Sequence, residues 1–90
     1  MIQKYRQELV QLLAQMRPAA LMDAFLQDLL TPVEFDDIAM RWQIVKQLAR
    51  GVPQREIAKN LGVSIATITR GSRELQDKKG GFRQVLNSTK

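Results

Sequence analysis

Ile2, Tyr5, Leu9, Leu12, Leu13 and Met16 recur at steps of three and four residues, the period at which side chains share one face of an α-helix. Pro18 cannot continue such a helix, so the spacing predicts a first helix over about Ile2 to Arg17. Met22, Phe25, Leu26, Leu29 and Leu30 repeat the step and predict a second. The stretch LLTPVE then carries a start signal. Thr31 can cap, Pro32 suits the first helical position because its missing N–H is not needed there, and Glu34 completes a capping box. The third helix bears Phe35, Ile38, Trp42, Val45 and Ala49 on one stripe, with Ile44 and Leu48 beside it, an apolar face wide enough for more than one neighbour. Gly51 and Pro53 close it. Three shorter helices are expected after it, over Gln54 to Leu61, Ile65 to about Gln76, and Phe82 to Asn87 beyond the Gly80-Gly81 break. No segment alternates with period two and none repeats, so the chain reads as all-α.

The segment from Gln54 has an internal logic. Ile57, Ala58 and Leu61 make the inner face of a short helix, Gly62 can take the left-handed conformation of a sharp turn, Val63 packs back inward and Ser64 can cap the next helix. Ala58 is small where two helices would cross closely, and Ile68 lies on the inner side of the second. An ordinary helical hairpin would show much of this, but the small residue, the turn glycine and the apolar positions together describe a helix-turn-helix whose second helix, Ile65 to Gln76, reads DNA.

Charge strengthens that reading. Residues 1–40 hold three basic and six acidic side chains, net −3, whereas residues 41–90 hold eleven and three, net +8. A basic half on a mildly acidic one suits a polyanion-binding face on a packing scaffold. Short side chains at Ser64, Ala66, Thr67 and Thr69 would let the helix tip approach phosphates and base edges, where backbone N–H groups favour anions. Gln54, Arg55, Lys59, Arg70 and Arg73 are candidate phosphate or base contacts, with solvated surface charge as the alternative for each. The chain has no cysteine and no histidine, which removes disulfides, thiolate metal sites and imidazole bases, so an enzyme is not expected. No apolar run approaches a membrane span and no signal-peptide core is evident, which predicts a cytoplasmic protein without a membrane partner.

Gly71 stands three residues after Ile68, on the side where an ordinary helix-turn-helix places a large apolar anchor. Glycine in mid-helix costs roughly 1 kcal/mol relative to alanine, so something else should occupy the space. A neighbouring side chain such as Trp42 could do so, and so could a flat ligand.

LLTPVE, RWQIVKQLARG, QREIAKNLG and IATITRGS stand together in the order and spacing of the tryptophan repressor family, which this chain resembles over about Leu29 to Leu75. That family is itself a standard case of the helix-turn-helix. The resemblance implies an all-helical, intertwined homodimer in which residues 1–50 supply the dimerisation helices, 54–76 the helix-turn-helix and 82–87 a C-terminal helix of one repressor domain. It implies double-stranded operator DNA as partner and L-tryptophan as corepressor, with no other cofactor and no metal. By position, Arg41 would stack on the indole and assist with the ligand carboxylate. Arg70 would cover the other face and bind that carboxylate, Thr31 of the partner subunit would assist, and Gly71 would make room for the ring. Asp28, Leu29 and Leu30 would offer backbone carbonyls to the ammonium. Toward DNA, Gln54 and Arg55 fall at the start of the first motif helix, and Ser64, Ile65, Ala66 and Thr69 at the tip of the second.

Three features depart from the family. Glu74 replaces a short hydroxyl beside the ligand ammonium, Ser64 replaces a glycine at the DNA-facing turn, and RGVPQRE is one residue shorter than the usual linker. Glu74, one turn after Arg70, is expected to pair with the ammonium. The sequence therefore predicts a tryptophan-responsive repressor. Its alternatives are a helix-turn-helix regulator whose effector has changed or been lost, and a helical interaction module that does not read DNA.

Overall fold

A computed structural model gives the fold and describes residues 1–88. The described residues form six helices and no strand: α1 (Ile2–Gln15), α2 (Ala19–Leu29), α3 (Pro32–Ala49), α4 (Gln54–Leu61), α5 (Ile65–Leu75) and α6 (Gly81–Ser88). They fall into two compact units that divide between Phe35 and Asp36. None of the helices is long and apolar enough to cross a membrane.

In the first unit, α1 stops two residues before Arg17. A residue preceding proline is kept out of the helical region, and the chain is already extended at Met16 (φ −77°, ψ 124°). The expected apolar stripe is present, yet neither α1 nor α2 has a buried residue. Leu13, Met16, Met22, Phe25, Leu26 and Leu30 are half-buried, while Ile2, Tyr5, Val10, Leu12 and Leu21 are exposed. The capping box of LLTPVE forms as expected. The Glu34 N–H donates to the Thr31 hydroxyl at 3.2 Å, and the Thr31 N–H donates to the Glu34 carboxylate at 2.8 Å. The bond from the Thr31 N–H, with a further contribution from the Thr31 side chain, holds the Glu34 carboxyl below its ordinary value.

The second unit is built on three isoleucines, Ile44, Ile57 and Ile68, each essentially inaccessible and contributed by a different helix. Met40, Leu48, Val52, Ala58, Leu61 and Val63 pack around them. The inner face of α3 is therefore the row of Met40, Ile44 and Leu48 with Val45 beside it, and Ile38 of the expected stripe is about half exposed. Gly62 closes α4 in the left-handed conformation (φ 67°), with its N–H bonded to the Ala58 carbonyl at 2.9 Å and that of Val63 to the same carbonyl at 3.2 Å. Ser64 caps α5, its hydroxyl accepting from the Thr67 N–H at 3.2 Å. Beyond α5, the Arg83 Nε donates to the Leu75 carbonyl at 2.9 Å, and the Phe82 and Trp42 rings lie 6.5 Å apart. Both contacts fasten α6 to the unit.

Candidate functional site

α5 divides its residues among three directions. Ile68, Gly71 and Leu75 are buried. Ile65, Ala66, Thr69 and Arg73 are exposed and, by the helical period, lie together on one side. Thr67, Arg70, Gly71 and Glu74 succeed one another at steps of three, one and three, and line a cleft of about 580 Å³. Such a volume lies within the roughly 300–1,000 Å³ range of small-molecule sites.

The opposite wall of the cleft is α3, through Asp37, Met40, Arg41 and Ile44, with Val63 and Phe82 completing it. Four of the expected ligand residues thus meet here: Arg41, Arg70, Gly71 and Glu74. At Gly71 the walls approach closely. A Cβ at that position would stand 3.2 Å from Ile44 Cγ2 and 3.8 Å from Leu48 Cδ1. The neighbour that takes the place of an apolar anchor is therefore Ile44, while Trp42, the side chain offered for that role by the sequence, packs on Phe82 instead. The charged groups of the cleft are two guanidinium and two carboxylate groups, so it is close to neutral overall.

Asp28, Leu29, Leu30 and Thr31 belong to the first unit. The Leu26 carbonyl accepts the Leu30 N–H at 2.9 Å, which ends the bonding of α2. Pro32 has no N–H to offer the Asp28 carbonyl, so the carbonyls at this helix end point out of a helix C-terminus, where a cation is favoured. Thr31 uses its hydroxyl as the cap of α3.

On the exposed side, Arg55, Lys59 and Arg73 are solvent-accessible and Gln54 is half-buried. The Thr69 hydroxyl donates to the Ile65 carbonyl at 2.9 Å and lies 3.4 Å from the Gln54 side-chain oxygen, which sets the start of α4 beside the middle of α5. Ser64 and Thr67 share a hydroxyl contact of 2.9 Å. The departure from glycine at position 64 thus has a local structural role as a helix cap. Asp37, Met40, Thr67 and Phe82 line the cleft although the sequence does not assign them to it. Asp37 has a signal in the sequence, because it precedes Arg41 by one helical turn; Phe82 has none, since its place depends on how α6 folds back.

Compared with known proteins, residues 4–90 match the family described as Trp repressor protein. The chain belongs to the Trp repressor family. A Trp operon repressor homolog of Actinobacillus succinogenes is 58% identical over 53 residues, covering 58% of this chain and 52% of that protein. One from Vibrio vulnificus is 45% identical over 73 residues, covering 76% and 72%. A third, from Pasteurella multocida, is 62% identical over 45 residues, covering 49% and 44%. The chain thus spans about half the length of the first of these relatives. No solved structure matches it. Trp repressors are a family of regulators and not of enzymes, and the all-helical fold of this chain agrees with that membership.

Proposed function

We propose that the chain is a transcriptional repressor that binds operator DNA as a homodimer, with L-tryptophan as corepressor. One observation carries this reading: α5 presents small and basic side chains on its exposed side and lines a charged cleft with residues of another side. A molecule wedged in the cleft would act directly on the helix that meets DNA. α4 and α5 form the helix-turn-helix, with Gln54, Arg55, Lys59 and Arg73 on phosphates and Ser64, Ile65, Ala66 and Thr69 at the groove. In the cleft, Arg41 and Arg70 flank the indole and Arg70 takes the carboxylate, with Thr31 of the partner subunit assisting. Gly71 lets α5 lie close against Ile44 of α3 and so forms part of the wall of the site. Glu74 pairs with the ammonium, alongside the carbonyls of Asp28, Leu29 and Leu30.

Glu74 also favours a second reading. Its carboxylate stands one turn from Arg70, and pairing between them would block the ligand carboxylate and leave a regulator with a different effector. Selection of duplexes from random DNA, with and without L-tryptophan, tests both. The proposal expects a near-palindromic sequence bound only in the presence of tryptophan. Binding to the same sequence regardless of tryptophan favours the changed-effector reading, and no selected sequence at all argues against DNA recognition.

A further inference from the structure

Asp37 is a charged residue of the cleft that the proposed function leaves without a role. It precedes Arg41 by one turn on α3, as Arg70 precedes Glu74 on α5, and both pairs have the spacing at which opposite charges meet on a helix surface. Neither pair closes. Among the described residues, none of these four side chains takes part in an ion pair or a side-chain hydrogen bond. The cleft thus presents two guanidinium and two carboxylate groups that are exposed to solvent and unpaired among the described residues.

An α-amino acid answers three of the four. Its carboxylate can take both guanidinium groups, and its ammonium can take one carboxylate. The second carboxylate is then left against the side chain of the ligand, and covering an ionised group with an apolar ring is unfavourable unless the ring supplies a donor. An indole has one such donor, its ring N–H, and no acceptor. We infer that Asp37 is a specificity residue, which accepts a hydrogen bond from the ring N–H of the bound amino acid while Glu74 holds the ammonium. The cleft then selects an aromatic side chain with a donor over one of the same shape without it. This rests on the reading of the cleft as an amino-acid site.

Calorimetry with three ligands on the full chain tests it: L-tryptophan, the benzothiophene analogue in which sulfur replaces the ring N–H, and indole-3-propionate, which lacks the amine. The native protein is expected to bind tryptophan about tenfold more tightly than the benzothiophene analogue, the loss of one hydrogen bond to a charged acceptor. Asp37→Ala should bind those two alike and still discriminate against indole-3-propionate. Asp37 is exposed on a helix, where alanine is well tolerated, so the variant should fold, and circular dichroism would show that it has. Equal binding of tryptophan and the benzothiophene analogue by the native protein overturns the inference, as does discrimination that persists in Asp37→Ala. A variant that instead ceases to discriminate against indole-3-propionate would place the ammonium on Asp37 and overturn it too. Failure of tryptophan to bind the native protein at all would remove the effector reading, and this inference with it.

Discussion

The absence of a side chain at position 71 lets α5 lie on α3, with Ile44 Cγ2 at 3.2 Å from where a Cβ would be. Ile44 cannot move aside easily, because it is buried and its β-branched side chain is stiff about χ1. Alanine would gain helix propensity but overpack this contact, so Gly71→Ala should destabilise the chain by on the order of 1 kcal/mol in urea unfolding, and Gly71→Leu by more. A Gly71→Ala protein more stable than native would show that the contact has slack. The sequence marks this position as unusual without saying what meets it, because periodicity on α3 leaves two adjacent rows of apolar residues and does not choose which faces α5. Glu34 is a second residue with a measurable signature. Its folded carboxyl is held below the ordinary value of 4.5, so its stabilising bond is complete above that value and is lost as pH falls through the lower folded one. Thermal melts from about pH 6 down to about pH 3 should show the native protein losing its advantage over Glu34→Gln in that window. A constant difference would mean that the capping box does not titrate as described.

Among the elements, the α4–α5 segment is the most legible in the sequence, since each of its devices is local. The αL glycine at 62, the inward Val63 and the Ser64 cap depend on near neighbours in sequence, and all are found. Helix ends set by distant packing are less so: α2 begins at Ala19, before its first half-buried residue, and α6 takes in Gly81. The cleft is half legible. Arg41, Arg70, Gly71 and Glu74 are marked by family resemblance, whereas Phe82 reaches the cleft only because α6 returns to α5 through the Arg83 bond to Leu75. Removing the cap with Ser64→Ala should cost about 1 kcal/mol, and Ser64→Gly only a few tenths. Equal melting of the three proteins would deny the hydroxyl a structural role and leave DNA contact as its use. For DNA itself, Arg55→Ala should weaken operator and random duplexes alike, while Thr69→Ala should narrow the gap between them. A gap unchanged by Thr69→Ala in an anisotropy titration would count against α5 as the reading helix.

At the scale of the molecule, α1 and α2 bury none of their residues, although Ile2, Tyr5, Val10 and Leu21 are each more than half exposed. In the proposed homodimer, pairing with a second copy would cover this apolar surface of a 90-residue chain. Sedimentation at micromolar concentration should give a dimer, and a folded monomer would contradict the proposed assembly. The proposed dimer would set the spacing of two reading helices, and a ligand beside each helix could favour one spacing only by binding that form more tightly. Ligand and DNA must then strengthen one another by the same factor. The most direct test is the calorimetric affinity of L-tryptophan for the native protein, free and saturated with its selected duplex. The proposed mechanism requires tighter binding on the duplex, by the factor with which tryptophan tightens DNA binding, and loss of the difference in Arg70→Leu. Equal affinity in the two states would contradict it.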